Sequence, residues 1–137
     1  MTLPLYLPSD CAHQYPAHPD GIVIPVSLSS GSIFHKAVAV VDPGASVCLF
    51  SREIGEILGL DIERGDYLRL GTLTGGLDAF GHEIGLQTYD LAVTSTVYFA
   101  RDYFLPRNLL GRTGWLNKSF FGLVDYEQLI YLRPYER

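Results

Sequence analysis

The run Ala37-Val38-Ala39-Val40-Val41 stops abruptly at Asp42-Pro43-Gly44, and this junction restricts the fold more than any other feature of the chain. β-Branched residues at that density suit a strand buried in a sheet. A proline and a glycine directly afterwards require a tight turn at the sheet's rim. One carboxylate is thereby delivered to the end of a strand, where a catalytic carboxylate could sit.

The segments on either side read as more sheet. Ile22-Val23-Ile24-Pro25-Val26-Ser27-Leu28, a turn at residues 29–32 and the run from Ile33 to Val41 predict a β-hairpin, with Pro25 marking an edge strand or a bulge. Val47-Cys48-Leu49-Phe50 returns to β character. Ser51 then offers an N-cap to a helix of about two turns, in which Ile54, Ile57 and Leu58 share one face and Gly59 is the C-cap. Residues 67–93 alternate around the tip Gly71-Thr72-Leu73-Thr74-Gly75-Gly76, which predicts one long hairpin with a glycine- and threonine-rich end. Val97-Tyr98-Phe99 is a further strand, residues 113–118 a short helix, and residues 120–124 and 129–132 a closing pair of strands. With about eight strands and two small helices this is a mainly β domain.

At 137 residues and 47% hydrophobic composition the chain can bury a core as one domain without staples. Residues 1–20, with Pro4, Pro8, Pro16 and Pro19, predict an extended arm. Residues 21–132 form the domain, and residues 133–137, with Pro134 and charged neighbours, a fraying tail. A formal charge of -5 and no basic cluster argue against a nucleic-acid partner. Cys11 and Cys48 match neither a disulfide framework nor a metal knuckle, and reduced thiols predict a cytoplasmic setting. No signal peptide or membrane span is visible, so no membrane partner is expected.

Taken together, the apolar strand, Asp42-x-Gly44-Ala45-Ser46, the short helix, the glycine-rich hairpin and the later segment Asn108-Leu109-Leu110-Gly111-Arg112 resemble the retropepsin-like aspartic proteases, including their small cellular and bacterial members. An isolated Asp-x-Gly says little; its combination with Leu-Leu-Gly-Arg is far more specific. The resemblance covers residues 20 to 132. It implies an all-β, closed barrel-like acid-protease fold with one or two short helices and one lobe per chain. It also implies an aspartic endopeptidase that is a homodimer, with Asp42 as the catalytic residue of each subunit and an extended polypeptide as substrate. Pro43, Gly44, Ala45 and Ser46 would form the active-site loop. Thr72, Leu73, Thr74, Gly75, Gly76 and Leu77 would form the substrate-binding flap. Leu110, Gly111 and Arg112 would give structural support, Arg112 through an ion pair. In retroviral relatives the termini interleave into a dimer sheet, a role that residues 129–132 would take here. No cofactor and no metal are implied.

One position departs from the family. The middle residue of its tripeptide is normally threonine or serine, whose hydroxyl and N–H cross-link the two catalytic loops, and Pro43 has neither. The alternative to an active peptidase is therefore a catalytically silent dimer of the same fold that binds peptide or serves as a dimerisation module. The simpler readings of single residues are structural. Asp42 before Pro-Gly is a common turn former, Ser46 has no histidine at a telling distance, and Cys48 fits as a small core residue. His13, His18, His35 and His82 lack metal-ligand spacing. The glycine-rich tip is not a phosphate loop. Trp115, Phe120, Phe121, Tyr126 and Tyr131 read as core or interface.

Overall fold

The computed structural model describes residues 11–73 and 75–135. Strands β2 (Val23–Ser30) and β3 (Ile33–Val41) form the first hairpin, Ser30 lying opposite Ile33. β4 (Leu49–Phe50) leads into α1 (Arg52–Ile57). The expected N-cap is present, with Ser51 accepting a hydrogen bond from Ile54 N. The C-cap is Leu58, and Gly59 follows with φ +78°, the left-handed step that ends a helix and suits glycine. β5 (Asp66–Thr72) and β6 (Gly75–Thr88) make the long hairpin. The chain then reverses sooner than its alternation predicts, at Tyr89 and Asp90, so residues 91–93 belong not to the hairpin arm but to β7 (Leu91–Ala100). Tyr89 takes φ +51° there, a conformation in which glycine or asparagine is the usual sign of a turn.

β8 (Leu109–Leu110), β9 (Ser119–Val124) and β10 (Leu129–Pro134) complete the chain. The helix expected at 113–118 is only a 3-10 turn over Leu116–Lys118. The main sheet has the order β2-β3-β8-β4-β7-β6-β5, and β2 pairs with β6 as well. This extra seam, Ser27 to Ser29 against Gln87 to Gly85, closes the sheet into a barrel and leaves β5 projecting on β6. Pro25 lies on β2 beyond the seam, where its missing N–H withdraws no bond from β6.

Trp115, Phe50, Phe99, Ile24, Leu28, Leu86 and Leu110 are fully buried in the centre. Trp115 Nε1 donates to Thr88 Oγ1 at 2.9 Å, which satisfies the one polar atom of a ring otherwise suited to an apolar site. Burying each large apolar side chain contributes about 1.5–3 kcal/mol relative to exposure, so this cluster carries the fold.

A second sheet, of order β1-β10-β9, includes β1 (Ala12–Gln14). The arm expected over residues 1–20 is thus corrected in its described part. Ala12 to Gln14 pair with β10, and Tyr15 is buried, its hydroxyl donating to Asp125 Oδ1 at 2.5 Å. Burial and this carboxylate push the Tyr15 phenol up to about 12. Residues 1–10 lie outside the described residues. Two expectations at the other end also change. Arg133 and Pro134 do not fray but belong to β10, opposite Phe120 and Ser119. Residues 129–131 are flanked by β1 on one side and β9 on the other, Leu132 by β9 alone, so residues 129–131 have no free edge with which to interleave. Among the described residues no helix is long and apolar enough to cross a membrane.

Candidate active site

Asp42 leaves the barrel where two distant segments meet. β3 and β8 are parallel, with Val41 beside Leu110, and the ladder continues one step further, Asp42 N donating to Leu110 O at 2.9 Å. Asp42 and the next three residues close a turn. Ala45 N donates to Asp42 O at 3.0 Å, and Gly44 N donates to Asp42 Oδ1 at 2.9 Å. Proline fixes φ at the second position of such a turn, and the side-chain bond holds the carboxylate in one orientation. Asp42 is half-buried, with Pro43 and Gly44 exposed.

The loop rests on the Leu-Leu-Gly-Arg segment. Arg112 N donates to Ala45 O at 2.9 Å and Thr113 N to Ser46 O at 3.0 Å. Between them the loop lies so close to Gly111 that a Cβ there would overlap Val47 O and stand 2.6 Å from Val47 C and 2.8 Å from Ala45 O. Only glycine permits that approach. Leu110, Gly111 and Arg112 therefore meet the Asp42 turn through their backbones. The ion pair expected of Arg112 is absent: its side chain is exposed, and among the described residues no carboxylate lies within ion-pair distance of it.

Asp42 opens onto a cleft of about 370 Å³ whose walls include Gly44, Ala45, Ser46, Val47 and Leu109 on the barrel side. Leu70, Gly71 and Leu77, from the β5–β6 hairpin, line the opposite side. Leu70 and Leu77 are cross-strand partners, so one face of the hairpin presents an apolar pair to the carboxylate. Of the hairpin residues singled out in the sequence, Leu77 lines this cleft. Leu73 is fully exposed at the tip. Thr72 ends β5 opposite Gly75, and Gly75 and Gly76 are exposed at the start of β6. Thr74 lies outside the described residues.

Two side-chain roles were not read from the sequence. Asn108 Oδ1 accepts from Ser51 N, and Asn108 Nδ2 donates to Val38 O, both at 3.0 Å, so one side chain ties β3 to the start of α1 just behind the Asp42 strand. On the outer face of the hairpin Asp78, only 7% exposed, accepts from Tyr67 Oη and Arg69 Nη1 at 2.7 Å each. Arg101 Nη1 reaches its second oxygen at 2.7 Å, and Arg101 N donates to Asp78 O at 2.9 Å. The Tyr67 hydroxyl, joined by the Arg69 and Arg101 guanidiniums, holds the Asp78 carboxyl below the usual carboxylate range. The signal lay in an acid and a base directly opposite across a hairpin, Arg69 and Asp78, which becomes visible only when register is known. Among the described residues no group of three His, Cys, Asp or Glu side chains is arranged to hold a metal ion.

The fold has a counterpart among solved structures. The EIAV protease complexed with the inhibitor HBY-793 superposes with a TM-score of 0.51 over 66% of this chain and 80% of that one, at 15% sequence identity. The fold is retropepsin-like. No family model matches the sequence and no curated protein is similar enough to match, so the likeness is one of architecture.

Proposed function

We propose that this chain is one subunit of a homodimeric aspartic endopeptidase acting on extended polypeptides. The observation that carries the reading is the Asp42 carboxylate, fixed by Gly44 N at 2.9 Å and opening onto a cleft roofed by a hairpin. A solved structure that shares the fold is a protease. One carboxylate is half of the machinery required. Two Asp42 side chains brought within hydrogen-bond reach by a two-fold axis cannot both stay ionised and share one proton. The anionic member takes a proton from a water, the water oxygen attacks the scissile carbonyl carbon, and the protonated member gives its proton to the carbonyl oxygen. The aspartate that took the water proton then gives it to the leaving amine as the C–N bond breaks. A hydroxyl proton of the tetrahedral diol returns to the other aspartate, which restores the shared-proton dyad. The hairpin from residue 71 to residue 77 closes over the substrate and excludes water. The buried Cys48 is a free thiol, which is compatible with a reducing cytoplasmic compartment.

Pro43 supports a second reading. It offers the partner subunit neither hydroxyl nor N–H, so the cross-link beneath the dyad, built of bonds each worth about 0.5–1.5 kcal/mol net, has no donor at this position. A dimer that keeps the fold and has lost hydrolysis follows if rigidity of the proline turn does not compensate. A peptide-library digest between about pH 4 and 7, a range set by proton sharing in the dyad, decides between them. Cleavage by the wild type that Asp42→Asn abolishes supports the peptidase. Equal product from both proteins, or none from either, refutes it. Pro43→Thr then raises the rate if the missing cross-link limits catalysis.

A further inference from the structure

β9 is an edge strand. β10 pairs with it on one side, and among the described residues no strand pairs with it on the other. Such edges are ready templates for another chain, and proteins blunt them by shortness, charge, proline or a bulge. Several of the other free edges here are blunted in those ways. β1 has three residues, β5 carries Asp66 and Arg69, and β2 beyond its seam carries Pro25. β9, Ser119-Phe120-Phe121-Gly122-Leu123-Val124, has six residues with neither charge nor proline. Its register with β10 runs unbroken from Val124↔Leu129 to Ser119↔Pro134, so no bulge turns the edge away. Phe120 and Leu123 are exposed. Phe120 is moreover held in place, its ring 4.9 Å from that of Tyr135 and 4.7 Å from the Arg133 guanidinium, which gives the edge an ordered aromatic of the kind that anchors interfaces.

We propose that β9 is the dimerisation edge: a second copy of this chain adds its own β9 antiparallel across a two-fold axis, merging the two three-stranded sheets into one continuous sheet. A second copy suits this edge better than a foreign peptide for two reasons. An antiparallel pair of identical strands is self-complementary, so a single contact covers the exposed edge of both molecules. Because β9 is uncharged throughout, the two-fold axis sets no like charges opposite one another in any register. The proposal rests on the homodimeric reading above and replaces interleaved termini, which the flanked position of residues 129–131 prevents.

The test is oligomeric state, read by sedimentation of the full chain between about 1 and 100 µM, a range that brackets micromolar dimers. The wild type and the variants Leu123→Lys, Phe120→Lys and, as control, Tyr126→Lys are compared. Tyr126 is 99% exposed and lies off the strand. A wild-type dimer whose dissociation constant rises about tenfold or more with either edge lysine, and stays within about twofold with Tyr126→Lys, supports the proposal. Far-UV circular dichroism of the two edge variants at low concentration establishes that the monomer is folded, and one folded edge variant suffices. Equally tight dimers in a folded edge variant overturn it, as does a monomeric wild type. A monomer that instead binds an added extended peptide along β9 assigns the edge to peptide and also overturns it. Hydrolysis is not the readout, so a β9 dimer without peptidase activity refutes the peptidase and leaves this interface standing.

Discussion

Gly111→Ala tests the idea that the Asp42 turn is supported from below by backbone contact. The added methyl would overlap the Val47 carbonyl oxygen and sit 2.6 Å from Val47 C. Carbon atoms in contact stand about 3.5–4.0 Å apart, so the loop must retreat by about 1 Å. Neither neighbour is the far end of a flexible side chain, so the backbone itself has to move. A retreat of that size draws Ala45 O and Ser46 O away from Arg112 N and Thr113 N, now 2.9 and 3.0 Å distant, and out of bonding range. Losing two such bonds at about 0.5–1.5 kcal/mol each, with about 1–3 kcal/mol of overpacking, predicts a loss of about 2–6 kcal/mol. Urea unfolding measures it. Gly71→Ala is the control, because a Cβ there meets nothing within 4 Å and should cost no more than about 0.5 kcal/mol. If the chain is a peptidase, a 1 Å shift of Asp42 also lowers the rate by about 10²-fold. Equal stability of the Gly111→Ala and Gly71→Ala proteins would refute the reasoning.

Asp78→Asn should loosen the hairpin without unfolding the barrel, seen as faster amide exchange at residues 70–77; unchanged exchange there contradicts the role given to Asp78. Since the Asp78 carboxyl is held below its ordinary range, its contribution is complete above the unfolded carboxylate value and is lost only as pH falls through the depressed one. The wild-type hairpin therefore stays latched in mildly acidic solution. Tyr15→Phe removes the bond to Asp125 and should cost about 0.5–1.5 kcal/mol at neutral pH. With its phenol raised to about 12, Tyr15 stabilises the fold fully below pH ~10 and loses that contribution as pH rises toward about 12. The alkaline limb of the stability curve should accordingly flatten in the variant, and a limb of unchanged steepness argues against it.

What could be read from the sequence was local chemistry with a matching period. The first hairpin, the Ser51 cap and the two-sided alternation of residues 67–88 each combine a repeat with a suitable terminator, so propensity and tertiary packing agree. The Asp42 turn and Leu-Leu-Gly-Arg were paired only by resemblance, because nothing in either segment announces that Val41 will lie beside Leu110. What was not legible depended on long-range pairing. The reversal at Tyr89 and Asp90 uses a tyrosine with φ +51° and so carries no glycine signal. β1 looked like an arm because its prolines flank three residues that find a partner only in β10. Arg112 kept its position but not its ion pair, since its backbone N–H, common to any residue but proline, makes the contact with Ala45.

β8 has only two residues, yet it lies between β3 and β4 and carries the support for Asp42. A ribosome making this chain releases the Asp42 strand early and residues 108–113 late. Until they emerge the barrel wall has a gap, and the acidic turn has no seat. Insertion of β8 joins segments far apart in sequence, the kind of contact that forms slowly. Nascent chains thus carry the carboxylate without its support.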